Sequence, residues 1–203
     1  MEPMSRTERA ALCNSALEVG PDAPTLCAGW STKDLVVHLL VRERDPVASV
    51  GIVLPPAAGL LERKSRKLAR QDFTSLVERV RTGPPVWSPL RPAPVDRRVN
   101  TLELFVHHED VRRAQPGWEP RELTDREQAT LWKAIAAAGR AVARASFDGP
   151  LEIVWPRDHH GQERRTTLRA GGAGDPVALR GEPAELVLAV FGRDQHRAER
   201  TSG

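Results

Sequence analysis

Three side chains in this 203-residue sequence are suited by type and spacing to bind a metal and do chemistry: Glu103 and His107 in Asn100–Ala114 (NTLELFVHHEDVRRA), and His38 far upstream in DLVVHLLVRER. At about 100° per residue, Leu102, Leu104, Val106, Val111 and Ala114 form one apolar arc of a helix, and Glu103, His107 and Asp110 fall inside it. A carboxylate and an imidazole are costly to bury unless they are paired or bind a metal. Residues at i and i+4 point the same way from successive turns, so Glu103 and His107 can reach one ion. Zinc takes three or four N, O or S donors in a roughly tetrahedral array, and His38 can supply the third. Two donors on one helix and one on a facing helix leave a coordination position open, as a catalytic metal requires.

Each of these residues also has a plainer reading. His38, set among Leu35, Val37, Leu39 and Val41, can be a core histidine bonded to a backbone carbonyl. Glu103 and His107 can be a buried acid–imidazole pair, with Arg98 or Arg112 neutralising the acid. The spacing ExxxH carries far less information than HExxH. Asp110, one turn beyond His107, either accepts a hydrogen bond from a liganding histidine or pairs with Arg112 or Arg113. His108 projects about 100° away from His107 and reads as surface. His159 and His160 lie in the polar turn RDHHGQ and read as solvent-exposed, and His196 lies in the tail. Cys13 and Cys27 have no CxxC spacing and read as free thiols with small buried side chains. The basic run Arg63–Arg70 reads as the solvated face of a helix.

The elements that must position these groups are mostly helical. A first helix runs from Ser5 to about Val19 and stops at Gly20-Pro21. The loop that follows holds Leu26, Cys27 and Trp30, all expected to pack. Ser31 and Asp34 have the spacing of a capping box and start the helix that carries His38, which Pro46 ends. A third helix is expected over Leu60–Arg81. The proline-dense GPPVWSPLRPAPVDRR then forms a long crossover held by Trp87 and Leu90, leading to a fourth helix over Val99–Ala114. Thr124 and Glu127 cap a fifth helix reaching about Ser146.

Beyond that the pattern changes. Strands are expected at about 151–156, 164–170 and 177–180, then a helix at about 183–193 opened by Pro183. The polar tail after Arg193 is expected to fray. The chain thus reads as a helical bundle over residues 1–147 and a small α+β domain over 148–203, without internal repeats.

Composition narrows the function classes. Net charge is +3 and the pI about 9.3, but the excess is small and dispersed. There is no Tyr, aromatics make up 4% of the chain, and no basic stretch is interleaved with stacking rings, which argues against nucleic-acid binding. No stretch approaches the roughly 18 apolar residues of a membrane span, and the N-terminus lacks signal-peptide character, so a cytoplasmic location is expected. Arg and Ala in place of Lys suggest a GC-rich genome. Monomer and homodimer are both compatible with the charged helix faces.

Taken together, PDAPTLCAGWSTKDLVVHLLVRERDP (21–46) and NTLELFVHHEDVRRA (100–114) resemble two motifs of actinobacterial DinB-like proteins, among them the mycothiol-dependent maleylpyruvate isomerase family. The first carries GW, a short polar turn, DL and, after two residues, His-Leu. The second carries Glu-x-x-x-His-x-x-Asp. The segment GDPVALRGEPAELVLAVFGR (174–193) is similar to that family's small C-terminal domain, so the resemblance spans nearly the whole chain. Arg42–Arg44 and the HHED version of the second motif are similar to a subgroup described only as metal-binding.

The resemblance implies a mainly α protein: a DinB-like four-helix bundle with a long crossover, then the small α+β domain. It implies a divalent metal, usually zinc, held by His38, Glu103 and His107, and mycothiol as thiol co-substrate. Ni, Mn and Fe suit the same donors. It also implies that Arg193 reaches an anionic substrate or thiol, although a surface charge at a helix C-terminus explains Arg193 equally well.

The expected activity is that of an isomerase or S-transferase, in which the metal activates a low-molecular-weight thiol for addition to a small electrophilic substrate. Asp110 would orient a ligand, and Arg193 or Arg42 would bind a substrate carboxylate. The rivals are a hydrolase using the same metal, and a non-catalytic metal-binding or regulatory protein with Asp110 or Cys27 as a fourth ligand.

Overall fold

The computed structural model describes residues 2–45, 58–88 and 93–202. The chain divides into two compact units, Met1–Glu119 and Pro120–Gly203. The helix Asp125–Ser146 therefore belongs to the second unit, whereas the sequence reading placed it in the bundle and set the boundary after residue 147.

The first unit contains α1 (Met4–Val19), α2 (Thr32–Arg44), α3 (Ala58–Ala69), α4 (Phe73–Arg81) and α5 (Ala93–Arg112). α1 packs mainly on α5 and also on α4, and α2 packs on α3 and α4. Leu12, Cys13 and Ala16 of α1, Leu35, Val36, Leu39 and Leu40 of α2, Leu76, Val77 and Val80 of α4, and Leu104 and Val111 of α5 form one buried cluster. Burying each Leu or Val contributes on the order of 1.5–3 kcal/mol. The capping box at Ser31 is present: its hydroxyl accepts from the Asp34 amide, and the Asp34 carboxylate accepts from the Ser31 amide.

Three expectations for this unit are revised. The helix expected over Leu60–Arg81 is two, because Asp72 adopts a non-helical ψ of 134° and its carboxylate caps α4 by accepting from the Ser75 amide at 2.8 Å. α5 starts at Ala93 rather than Val99. Pro94 falls in its first turn, where a missing N–H forfeits no helical bond. Trp87 does not anchor the crossover, being 60% exposed; its neighbour Ser88 is buried and donates to the Glu43 carbonyl at 2.8 Å. Leu90, the other expected anchor, and Pro46 lie outside the described residues.

Buried ion pairs tie the helices together. Arg9 of α1 grips Glu43 of α2 through two bonds of 2.6 and 2.9 Å and donates to the Val80 carbonyl of α4. His108, read as surface, is 3% exposed on the α1 side of α5, with Nδ1 2.9 Å from Glu8 Oε2 and Nε2 3.1 Å from Ser15 Oγ. Over residues 100–112 α5 is buried nearly all round, so an apolar arc read from sequence alone could not distinguish its solvent side.

The second unit contains α6 (Asp125–Ser146), β1 (Leu151–Trp155), β2 (Arg164–Arg169), β3 (Val177–Arg180), α7 (Pro183–Val190) and β4 (Glu199–Ser202). The sheet order is β2-β1-β3-β4. β1 pairs antiparallel with β2 and parallel with β3, placing Ile153 opposite Thr166 and Leu179. α6 packs on α7 and β2, and a Cβ added at Gly139 would stand 3.1 Å from Leu168 of β2. The tail does not fray: Glu199–Ser202 forms an antiparallel edge strand on β3. Its polar residues are largely exposed, which explains why no alternation announced it. His159 and His160 are exposed in the β1–β2 turn as expected. No helix among the described residues is long and apolar enough to cross a membrane.

Candidate metal centre

His38 lies on the second turn of α2, and Glu103, His107 and Asp110 follow one another at i, i+4 and i+7 along α5. The structure brings the three expected donors together. His38 Nε2 lies 3.4 Å and His107 Nε2 3.3 Å from the same oxygen, Glu103 Oε1. The three donor atoms all fall within 4.8 Å of one another. The side chains are 15%, 10% and 22% exposed for His38, His107 and Glu103, so the group is sunk into the helices yet opens to solvent.

Two tests bear on whether this donor set fits a cation. Donors about 2.0–2.1 Å from a tetrahedral zinc are separated from each other by about 3.4 Å. The two imidazole–carboxylate distances match that spacing and are long for unmediated hydrogen bonds. In addition, Asp110 Oδ2 lies 2.9 Å from His107 Nδ1, and Asp110 is fully buried. A carboxylate on Nδ1 fixes the tautomer that leaves Nε2 as the donor. Arg112 and Arg113, the rival partners considered for Asp110, both bond Glu109.

Arg42, one turn from His38, sits with Nε 3.3 Å from Glu103 Oε1 and donates through Nη1 to Asn100 Oδ1 at 2.6 Å. Burial alone would raise the Glu103 carboxyl, but the imidazoles of His107 and His38 and the charge on Arg42 hold it well below the usual range. Burial would likewise lower the His107 imidazole. Asp110, Cys27 and Glu103 outweigh it and lift His107 well above its ordinary value.

Sequence reasoning left Cys27 as a small buried side chain or a spare ligand. In the structure its thiol donates to Asp110 Oδ2 at 3.1 Å and lies 4.0 Å from His107 Nδ1. The loop is set there by backbone bonds: the Leu26 amide donates to the Asp110 carbonyl at 3.0 Å, and the Trp30 amide to the Cys27 carbonyl at 2.9 Å. Gly29 supplies the positive φ of 77° that the turn needs. Cys27, His107 and Asp110 form a second donor group that shares only His107 with the first. The two groups face opposite nitrogens of one ring, so Cys27 and Asp110 do not close the shell around His38, Glu103 and His107. Trp30 tilts over His38 with ring centroids 5.1 Å apart. No pattern in the sequence announced this contact.

Arg193 belongs to the second unit, just beyond α7, where its amide donates to the Leu188 carbonyl and Nη1 to the Phe191 carbonyl at 2.8 Å.

The helical unit followed by a small sheet-and-helix unit defines an α-rich, DinB-like fold with a small α+β C-terminal part. Among solved structures, the chain is similar to the crystal structure of the mycothiol-dependent maleylpyruvate isomerase, with a TM-score of 0.53 and 13% identity, covering 98% of this chain and 90% of that one. A mutant of the same enzyme matches equally. At this identity the likeness establishes the fold. The sequence matches no protein-family profile and no curated protein.

Proposed function

We propose that the protein is a divalent-metal-dependent thiol enzyme of the isomerase or S-transferase type, using zinc or a similar ion with a low-molecular-weight thiol such as mycothiol. The observation that carries this reading is the convergence of His38, Glu103 and His107, whose donor atoms lie within 4.8 Å of one another with both imidazoles 3.3–3.4 Å from Glu103 Oε1, and with Asp110 behind His107. The fold shared with a mycothiol-dependent enzyme supports it. His38 and His107 would present neutral Nε2 lone pairs, Glu103 would balance charge, and Asp110 would retain the Nδ1 proton of His107 and keep the ring oriented. Arg42 holds Glu103 in place, so a substrate carboxylate directed at Arg42 would have to compete with that contact. Arg193 is proposed to meet an anionic part of the substrate or thiol. When bound, a divalent ion supplies the charge that lowers the pKa of a thiol enough to make it nucleophilic at neutral pH.

The test is metal content of protein purified without affinity tag or chelator, beside His38→Ala and Glu103→Ala. About one ion per chain in the wild type, lost in both variants, is expected. A wild type that stays metal-free after reconstitution refutes the proposal. A second reading, a hydrolase that activates water at the same donors, draws on the same open geometry. Turnover that needs added thiol excludes it.

A further inference from the structure

A cavity of about 450 Å³ opens beside the metal centre, between α2 and α3, and His38 forms part of its wall. This is within the usual size of small-molecule sites, about 300–1,000 Å³. Trp30, Val37, Leu61 and Ala69 give it apolar walls, and Trp30, 37% exposed and tilted against His38, offers its ring to an occupant. Among the described residues, two acids and one base line the cavity: Asp34, Glu62 and Arg66. Two acids and one base leave the lining with a net charge of −1. Arg66 is already paired with Glu62 at 3.4 Å, and Arg42 on the far side of His38 with Glu103 and Asn100. Among the described residues the lining thus provides apolar area and an aromatic face, and its cationic side chain is already paired.

We infer that this cavity is the substrate pocket of the proposed metal centre, and that it selects an uncharged, largely apolar organic electrophile, held flat against Trp30 with its reactive carbon toward His38. This rests on the proposed function for the word substrate, whereas the preference for a neutral ligand rests on the lining alone.

Benzamide and benzoate are suitable probes, since they share a ring and a shape and differ by one charge. Each is titrated into ¹⁵N-labelled, metal-free protein, so that only the lining acts on the carboxylate, while the indole N–H signal of Trp30 is followed. That signal is assigned by its absence in Trp30→Phe and is one of five indoles in the chain. Benzamide is expected to shift it and to bind about fivefold or more tightly than benzoate, the effect of one net charge a few ångströms away in high dielectric. Leu61→Trp, which fills the cavity, is expected to abolish the shift without changing metal content. Glu62→Gln is expected to bring benzoate toward benzamide, leaving benzamide affinity unchanged.

Equal or tighter binding of benzoate, no shift by either probe, or unchanged binding in Leu61→Trp overturns the inference. Loss of metal stoichiometry with the probe results intact refutes only the proposed function.

Discussion

Replacing Asp110 by Asn separates a metal ligand's support from the ligand itself. The substitution keeps the size and shape of a fully buried side chain, and the Leu26 amide still meets a backbone carbonyl at this position. What it removes is a negative charge 2.9 Å from His107 Nδ1 and 3.1 Å from the Cys27 thiol. The carboxylate both fixes the ring tautomer and raises the basicity of Nε2, and removing such a partner lowers metal affinity about 10- to 100-fold, or about 1.4–2.7 kcal/mol. Zinc affinity would be measured by competition with a chromogenic chelator, with circular dichroism to confirm the fold. Glu109→Gln is the control: Glu109 is equally buried on the same helix, but its partners are Arg112 and Arg113, so it should reduce stability and leave zinc affinity within about threefold. Unchanged affinity in Asp110→Asn would mean that Asp110 does not act through His107. Loss as complete as in His38→Ala would mean that it is itself a ligand. Either result refutes the reasoning.

Three further outcomes follow from described contacts. Glu43→Gln strips the counter-charge from Arg9 in a site where the side chains are 0% and 7% exposed, and should lower unfolding free energy by about 3–5 kcal/mol in urea titration. Burial raises the Cys13 thiol to about 11 and its hydrogen goes to the Val77 carbonyl, so Cys13 should resist thiol reagents at neutral pH until the chain unfolds, as mass spectrometry of labelled Cys27→Ser protein would show. The Asp158 carboxyl, lowered to about 2 by the Gln162 amide and also by Arg164 and the His160 amide, stabilises the β1–β2 turn above its unfolded value near 3.8 and loses that contribution as pH falls toward 2. The melting-temperature gap between wild type and Asp158→Asn should therefore be present at pH 7 and shrink steadily below pH 4; a gap independent of pH would contradict this assignment.

What was readable in the sequence depended on how local the physics is. Both capping boxes, at Ser31 and Thr124, are satisfied within four residues and appear where their spacing placed them. Strands β1 to β3 declared themselves by composition and alternation. The pairing of Glu103 with His107 followed from burial cost and a shared helix face, because i and i+4 positions need no knowledge of the rest of the fold, whereas His38, 65 positions upstream, entered as a candidate third donor that the family resemblance supported. Partners far apart in sequence were not readable. His108 finds Glu8 across 100 positions, Arg9 finds Glu43 across 34, and Cys27 finds Asp110 across 83. A polar side chain looks like surface until the chain that neutralises it is known. The break at Asp72 and the early start of α5 were missed for a local reason: a carboxylate cap and a first-turn proline each outweighed a continuous or interrupted apolar pattern.

Consecutive residues of α5 grip different neighbours. His107 reaches toward α2 and the Cys27 loop, while His108, a step of about 100° around the axis, is held by Glu8 and Ser15 of α1. A swivel of the helix would disturb these polar contacts on two sides, so they constrain its angular setting alongside the apolar packing of Leu104 and Val111. The aim of the cluster thereby depends in part on Glu8 of α1, whose carboxylate holds the neighbouring His108.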